Sequence, residues 1–362
     1  MREERSGGRE EHSYAGGAKW RAPHRPGARR PDATHRRSAR MGSARAGIGV
    51  APTRVCGVRL VFAGTPSAAL PSLAALVGSA HEVVAVVTRP DAARGRSKRP
   101  VPSEVGAWAA AHDIPVLKPE HPRDPAFIDT LTGLAPDACP VVAYGALVPQ
   151  RVLDIPPLGW INLHFSLLPR WRGAAPVQRA LMAGDTRTGA TTFRLVRELD
   201  AGPVFGTTEL ALTGTETAGD VLATLADAGA RLLLDTIDAL ASTEPTPQDV
   251  AAGVTLAPKL TVAEARLDWG RPAEELDRLI RGCSPEPMAW TTLGGDRFRV
   301  ALARPTTEPG PGPGEVRAER RRVLVGTGTT ALDLLRVQPA GKKVMAAADW
   351  GRGVHTESVR FD

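Results

Sequence analysis

An asparagine and a histidine stand two residues apart at the end of an apolar run, in the order Trp160-Ile161-Asn162-Leu163-His164. In an extended chain, side chains two residues apart point to the same side, so Asn162 and His164 could act on one reacting atom. An amide N–H can stabilise an oxygen that gains negative charge, and an imidazole can move a proton near neutral pH. Such a pair by itself is more often structural, because buried polar side chains commonly hydrogen-bond only to their neighbours. The surrounding residues must decide between these interpretations.

The residues that follow the pair favour a ligand site. Pro169 ends the extended run, and residues 170–172 place an aromatic ring between two arginines. This combination suits anionic and planar ligands. A carboxylate, Asp200, follows His164 by 36 positions and lies between two alternating, strand-like patterns. From the local sequence, Asp200 is either a turn cap or a member of the same site.

The elements that must position these side chains alternate between strand and helix from Val58 onward. Short buried strand patterns and helical patterns follow one another as far as a long helical pattern over 217–240. This alternation predicts an α/β domain, Rossmann-like, with a mostly parallel sheet covered by helices. The first strand end, at 64–66, has neither a Walker lysine nor a three-glycine fingerprint. The usual modes of nucleotide binding are therefore not indicated.

The C-terminal part of the chain has a different pattern. A stretch with two prolines and little apolar periodicity predicts a linker at 243–256. After it, one helix and then short strands follow at intervals typical of a small β-barrel. The sequence predicts a disordered or mis-assigned N-terminal extension at 1–57, a first folded domain at 58–242, the linker, and a second folded domain at 257–362.

The basic character of the chain is concentrated in the N-terminal extension. Of the 46 Lys and Arg residues and the 39 Asp and Glu residues, 13 and 5 respectively lie within residues 1–57, so the remainder holds 33 basic against 34 acidic residues. A segment of this composition buries too little apolar surface to offset the entropy of ordering its backbone. Because residues 58–362 are nearly neutral, nucleic-acid binding there must depend on local basic clusters.

The composition also bears on membrane association, cellular compartment and metal binding. No apolar run approaches the roughly 18 to 20 residues of a membrane span, and we expect no membrane partner. The three cysteines lack the spacing of a disulfide framework or a metal site, so we expect a protein of the reducing cytoplasm without a bound metal.

Motifs in several separated places resemble one family. Residues 162–178 read Asn-Leu-His-Phe-Ser-Leu-Leu-Pro-Arg-Trp-Arg-Gly-Ala-Ala-Pro-Val-Gln, and residues 199–202 read Leu-Asp-Ala-Gly. Residues 62–66 and 142–145 precede them in the expected order, and Gln-Pro-Ala-Gly-Lys-Lys follows at 338–343. Together these motifs resemble the methionyl-tRNA formyltransferase family over about residues 58 to 362. Val58 stands where that family's fold begins, so an alternative translation start would explain the extension.

The resemblance implies an enzyme that transfers the formyl group of 10-formyltetrahydrofolate to the α-amine of methionyl initiator tRNA. It implies that Asn162 holds the formyl oxygen, that His164 donates to it and carries a proton, and that Asp200 orients His164. Neither a metal nor ATP is needed, because the folate already activates the formyl group.

The resemblance also implies where the two substrates bind. The folate donor is expected to lie against the short run that follows His164 and Phe165: Ser166, Leu167, Leu168 and Pro169. The tRNA is expected to contact a basic inserted loop and an OB-like C-terminal barrel. The basic residues concerned are Arg94, Arg96, Lys98, Arg99, Lys342 and Lys343. A monomer is expected.

Two other functions stay open at this point. One is a formyltransferase with the same catalytic set that acts on an amino sugar nucleotide, glycinamide ribonucleotide or another small amine. The other is a noncatalytic RNA-binding protein that keeps the scaffold. One departure from the commonest family pattern is Phe165, where glycine often stands; its side chain is expected to point away from His164.

Overall fold

The computed structural model describes residues 57–93, 99–353 and 359–362. The extension predicted at 1–57 lies almost entirely outside these residues. In the first domain, short strands rich in valine and alanine are followed by turns and helices. The strands are β1 (Arg59–Gly64), β2 (Glu82–Val87), β3 (Ala92–Ala93), β4 (Pro100–Val101), β5 (Val116–Leu117), β6 (Cys139–Val142), β7 (Trp160–His164), β8 (Arg187–Arg194) and β9 (Val204–Ala211).

Helices cover both faces of this sheet, and α7 and α8 belong to the second domain. The helices are α1 (Leu70–Val77), α2 (Glu104–Ala110), α3 (Pro125–Leu134), α4 (Gln150–Leu153), α5 (Pro176–Ala183), α6 (Ala218–Asp238), α7 (Ala273–Cys283) and α8 (Ala347–Gly351). One buried cluster packs α1, α2, α5 and α6 on one face, and another packs α3 and α4 on the other. In the part of the chain described, no helix is long and apolar enough to cross a membrane.

Seven strands form the main sheet in the order β5-β2-β1-β6-β7-β8-β9. The first five are parallel to one another, whereas β8 pairs antiparallel with β7 and β9 pairs antiparallel with β8. The chain builds outward from β1 to β5 and then returns to add β6 on the other side of β1. This reversal opens a crevice at the carboxyl ends of β1 and β6, where open α/β sheets bind ligands. The predicted Rossmann-like architecture is confirmed.

The second domain is a curled antiparallel sheet of six strands. They are β10 (Ala289–Leu293), β11 (Asp296–Pro305), β12 (Val316–Ala318), β13 (Val323–Gly326), β14 (Ala331–Gln338) and β15 (Met345–Ala346). The order is β10-β11-β14-β13-β12, and β15 also pairs with β14. Four aromatic rings pack beside this sheet at centroid distances of 4.7 to 6.0 Å, from Trp269, Phe298, Trp350 and Phe361. The predicted small barrel domain is confirmed, and the prediction omitted its last strand and helix.

The two domains pack through α5 and α7. Gly282 lies so close to α5 that a Cβ atom there would stand 2.5 Å from the Met182 side chain, which only glycine allows without displacement. On the same helix, Asp277 and Arg281 form a buried ion pair with an oxygen–nitrogen distance of 2.8 Å. Burial raises the pKa of Asp277, although the Arg281 guanidinium opposes this effect. Arg281 also reaches the Glu216 carbonyl at 3.4 Å, just before α6 begins.

Candidate active site

The motifs singled out in the first domain meet at one edge of the sheet. Because β1, β6 and β7 are parallel neighbours, their carboxyl ends and the loops that follow lie side by side. The Thr65 hydroxyl after β1 donates to the Tyr144 carbonyl after β6 at 2.8 Å. Asn162, in the adjacent β7, pairs with Val141 of β6. The crevice at the strand reversal is therefore bordered by the predicted catalytic strand.

Alternation along β7 separates polar from apolar side chains. Ile161 and Leu163 enter the core cluster that contains α6, and Phe165 enters the same cluster. Asn162 and His164 occupy the alternate positions, on the opposite face. The structure confirms that Phe165 points away from His164, and a bulky residue at position 165 therefore serves packing.

The His164 imidazole is held at Nε2 and faces a carboxylate with Nδ1. It is only 6% exposed, and its Nε2 lies 2.8 Å from the Trp171 carbonyl oxygen. A carbonyl can only accept, so Nε2 carries the hydrogen and donates it. Nδ1 then holds the lone pair of the neutral ring and faces Asp200 Oδ2 at 3.7 Å. This distance exceeds a hydrogen bond but permits an ion pair once Nδ1 gains a proton.

Asp200 is buried in the turn between β8 and β9. Its Oδ2 accepts a 2.7 Å hydrogen bond from the Gly173 backbone N–H. Its backbone has a φ of +46°, in the left-handed region that aspartate tolerates better than most residues. The loop that accepts from His164 thus also holds the carboxylate. The geometry favours a carboxylate–imidazole pair over the turn-cap interpretation.

The Asn162 carboxamide is available to a ligand. The residue is half-buried, and its side chain makes no hydrogen bond to another residue in the described ranges. Its backbone is fixed in mid-sheet between Val141 on one side and Phe193 on the other. A rigid backbone with an unengaged amide donor is the arrangement that stabilises a developing oxyanion.

Replacing Gly202 with alanine is expected to destabilise the protein by about 1 to 3 kcal/mol and to reduce turnover. A Cβ atom at this position would stand 1.7 Å from the Arg194 carbonyl oxygen, so the turn that carries Asp200 must move. Thermal unfolding and kcat measure the two effects. Gly133→Ala is the control, because a Cβ there meets nothing within 4 Å and the residue lies in α3. Equal effects of the two substitutions would contradict the assigned role of the turn.

The four residues predicted to hold the folate differ in burial: two are buried and two border solvent. Ser166 is fully buried; its hydroxyl donates to the Arg170 carbonyl at 2.7 Å, and its own carbonyl accepts from the Thr191 hydroxyl at 2.7 Å. The Ser166 hydroxyl and carbonyl are therefore engaged within the turn, and its contact with the folate stays a prediction. Leu167 and Leu168 are half-buried and border solvent. Pro169 is buried behind them.

The predicted tRNA contacts belong to two separate regions. Arg94, Arg96 and Lys98 lie outside the described residues, between the short strands β3 and β4. Arg99 is exposed immediately before β4. Lys342 and Lys343 are exposed in the turn after β14 of the second domain. Lys342 borders a shallow pocket whose lining includes two further cations, Arg297 and Arg299.

The structure adds groups to the site that the sequence did not indicate. The Trp171 carbonyl and the Gly173 N–H are backbone groups, so no residue type marks them. Gln248 and Thr255 come from the segment predicted to be a linker. Gln248 contacts the turn of Asp200, and Thr255 accepts from the Trp171 N–H at 2.8 Å. Two prolines near Gln248 indicated a spacer, and no local pattern indicated that Gln248 and Thr255 contact the site.

Metal binding is not indicated by side-chain clusters. Within residues 57–93, 99–353 and 359–362, no group of three or more His, Cys, Asp or Glu side chains is placed to hold an ion. The site's polar groups are those of proton transfer and oxyanion stabilisation.

Two family models match the chain in succession. The model for formyl transferase matches residues 58–237, and the model for the formyl transferase C-terminal domain matches residues 259–355. Among solved structures, HypX from Aquifex aeolicus in complex with tetrahydrofolic acid has a TM-score of 0.59 at 19% identity, covering 81% of this chain and 46% of that one. WlaRD, a sugar 3N-formyl transferase, has a TM-score of 0.57 at 13% identity, covering 79% and 99%. At these identities, the likeness shows a shared fold.

Curated relatives are much more similar in sequence. A methionyl-tRNA formyltransferase from Thermobifida fusca is 57% identical, covering 82% of this chain and 96% of the relative. The relative of that name from Streptomyces coelicolor is 55% identical, covering 84% and 99%. A third, from a Nocardioides species, is 54% identical, covering 83% and 96%. Identity at this level, over nearly the whole length of each relative and both matched domains, shows that this chain belongs to the methionyl-tRNA formyltransferase family.

Proposed function

We propose that this chain transfers the formyl group of 10-formyltetrahydrofolate to the α-amine of methionine on initiator tRNA, producing formylmethionyl-tRNA for translation initiation. Family membership at more than 50% identity supports the activity and both substrates. The fold shared with a tetrahydrofolate-bound structure supports folate as the donor. The observation that carries the proposal is the His164 ring, whose Nε2 is fixed by the Trp171 carbonyl while Nδ1 faces Asp200.

The site residues account for every proton in the transfer. Attack of the amine on the formyl carbon places negative charge on the formyl oxygen, and the Asn162 amide donates a hydrogen bond to it. His164 Nδ1 receives the proton that the amine loses, and Asp200 stabilises the resulting imidazolium at 3.7 Å. His164 then returns this proton to the folate nitrogen as the carbon–nitrogen bond breaks. The products are a formamide and tetrahydrofolate, with no net proton gained by the protein.

Substrate positions follow from the same arrangement. Leu167 and Leu168 present half-buried apolar surface beside the site, suited to one wall of the folate pocket. Ser166 and Pro169 hold that wall from behind. The tRNA acceptor end is proposed to meet the basic loop at 94–99, and the tRNA body the C-terminal domain, which we propose is OB-like. A cytoplasmic monomer stays a prediction.

Formyl transfer itself is the deciding experiment. The protein is incubated with labelled 10-formyltetrahydrofolate and methionine charged on initiator tRNA or, separately, on elongator tRNA. Product on the initiator alone is expected. Transfer to an amino sugar nucleotide, with none to either tRNA, would move the function to a small amine. Tight tRNA binding without transfer to any amine would indicate a noncatalytic RNA-binding protein.

Replacing Lys342 and Lys343 together with alanine is expected to raise KM for tRNA several-fold and leave kcat nearly unchanged. Both side chains are exposed in the second domain and can contact phosphates without touching the reacting groups. Each lost phosphate contact reduces the slope of log affinity against log salt by about 0.7 to 0.9. Binding titrations at several salt concentrations measure this slope. An unchanged slope would exclude these lysines from the tRNA interface.

A further inference from the structure

The segment between the two domains, residues 243–256, packs on the loops of the candidate active site. Near its start, Thr246 and Val204 exchange two backbone hydrogen bonds of 2.7 and 2.8 Å. Near its end, the Thr255 carbonyl accepts from the Arg172 N–H at 2.9 Å. Val204 begins the strand after Asp200. Both ends of the segment are therefore fastened to chain neighbours of the proposed catalytic groups, and we call residues 246–256 the strap.

One strap side chain joins two loops of the site. Gln248 Nε2 donates to the carbonyl oxygens of Asp200 and Gly202, each at 2.8 Å. Gln248 Oε1 accepts from the Arg172 guanidinium, at 2.6 Å from Nη2 and 3.2 Å from Nε. A carboxamide has two donor hydrogens and two acceptor lone pairs. All four are in use, and an amide is the group that satisfies this particular arrangement.

The two loops joined by Gln248 are those that fix the imidazole and the carboxylate. The first loop contains the Trp171 carbonyl, which accepts from His164, and the Gly173 N–H, which donates to Asp200 Oδ2. The second is the turn of Asp200, whose left-handed backbone is not a conformation the residue adopts by default. The separation of His164 Nδ1 from Asp200 Oδ2 thus depends on how far apart the two loops are held.

We propose that Gln248 is a positioning residue for formyl transfer, holding the turn of Asp200 against the loop that binds His164. The proposal rests on the function proposed above. Gln248 acts through Asp200 and touches neither substrate. Misplacement of a catalytic group by about 1 Å can reduce turnover about a hundredfold. Replacing Gln248 is therefore expected to lower kcat and to change KM for both substrates little.

Gln248→Glu is the sharpest test, because it preserves shape and the two acceptors for Arg172 while turning both donors into acceptors. The introduced carboxylate faces the carbonyls of Asp200 and Gly202 and repels them. We expect kcat to fall about 10- to 100-fold and each KM to stay within twofold. Protonating the introduced group restores one donor. The ratio of wild-type to variant kcat is therefore expected to shrink as pH falls from 8 to 5.

Two further variants distinguish a loss of positioning from a loss of folding: another substitution at Gln248, and Gln248→Glu combined with Asp200→Asn. Gln248→Met removes the hydrogen bonds without adding charge, and we expect a similar loss of kcat that does not recover at low pH. In an Asp200→Asn background, Gln248→Glu is expected to change kcat less than threefold, because residues that act as one unit are not additive. Gln150→Glu makes the same chemical change on an exposed side chain of α4 and serves as the control. Wild-type turnover in Gln248→Glu over the whole pH range would overturn the proposal.

A measurement without substrates distinguishes this proposal from the proposed function. The ¹⁵N resonance of His164 Nδ1 responds to the nearby carboxylate in the free protein. We expect it to move in Gln248→Glu and to stay in place in Gln150→Glu. If the wild-type protein transfers no formyl group, the proposed function fails, and this resonance still tests the positioning. An unchanged resonance in Gln248→Glu would show that Gln248 does not position the pair.

Discussion

Replacing Asn162 with alanine is expected to lower kcat by about a hundredfold or more, because one oxyanion donor typically contributes about 3 to 4 kcal/mol to the transition state. The half-buried carboxamide has no hydrogen-bond partner among the described residues, so its donors are available to the formyl oxygen. The fold should not change, since the backbone of Asn162 is paired on both sides within the sheet. Single-turnover transfer to methionyl-tRNA measures the effect.

Asn162→Asp provides the matched comparison for this prediction. The shape is conserved, both donors are lost, and a negative charge faces the oxygen that becomes negative. Turnover is expected to be at least as low as in Asn162→Ala. Asn162 is the only asparagine in the sequence, so selective ¹⁵N labelling gives one side-chain amide signal that reports donor binding. Near-normal turnover in either variant would remove Asn162 from the mechanism.

Replacing Asp200 with asparagine is expected to lower kcat by about 10² to 10⁴, the range that a proton-transfer group contributes. The amide oxygen can still accept from the Gly173 N–H, which Asp200 Oδ2 does at 2.7 Å, so the loop stays in place. The negative charge that faces His164 Nδ1 at 3.7 Å is lost, and with it the stabilisation of the imidazolium. KM for both substrates is expected to change little.

Glu198→Gln is the control for the loss of charge at Asp200. Glu198 precedes Asp200 by two positions in the same turn, and its side chain is exposed. We expect turnover within about twofold of wild type, because a solvent-exposed charge contributes little through water. Equal losses in both variants would mean that the turn responds to its total charge and that Asp200 has no specific role.

The fold was predictable because its signals are local. The valine-rich run Glu82–Val87 forms a strand, and the helix Pro176–Ala183 begins at a proline, so neighbouring residue types specify both elements. The last strand, Met345–Ala346, was missed because two residues show no periodicity. Ser166 was expected to touch the folate, which stays a prediction, and the structure adds that its hydroxyl and carbonyl are used within the turn. Adjacency to a catalytic motif does not indicate which way a polar group faces.

The segment between the domains shows that amino-acid composition does not indicate whether a connecting segment packs on its neighbours. Prolines and polar residues at 243–256 predicted a spacer, and the chain does connect two domains there. The same residues also fasten the Arg172 loop and the Asp200 turn through Gln248. Proline and glycine indicate where regular structure ends, but they do not indicate whether the irregular chain is solvated or packed.

By itself, the sequence determined the order of strands and helices and the placement of Asn162 and His164 on one face of a strand end, because these follow from side-chain alternation within a few residues. Its motifs also indicated Asp200 as their partner. Only the tertiary structure decided that Trp171 fixes the tautomer of His164 and that Gly173 holds Asp200. The contacts that assemble the site join residues 27, 48 and 84 positions apart, and backbone carbonyls and N–H groups, which every residue type shares, make part of each. Such contacts depend on the distances between loops in the folded chain, which no local pattern specifies.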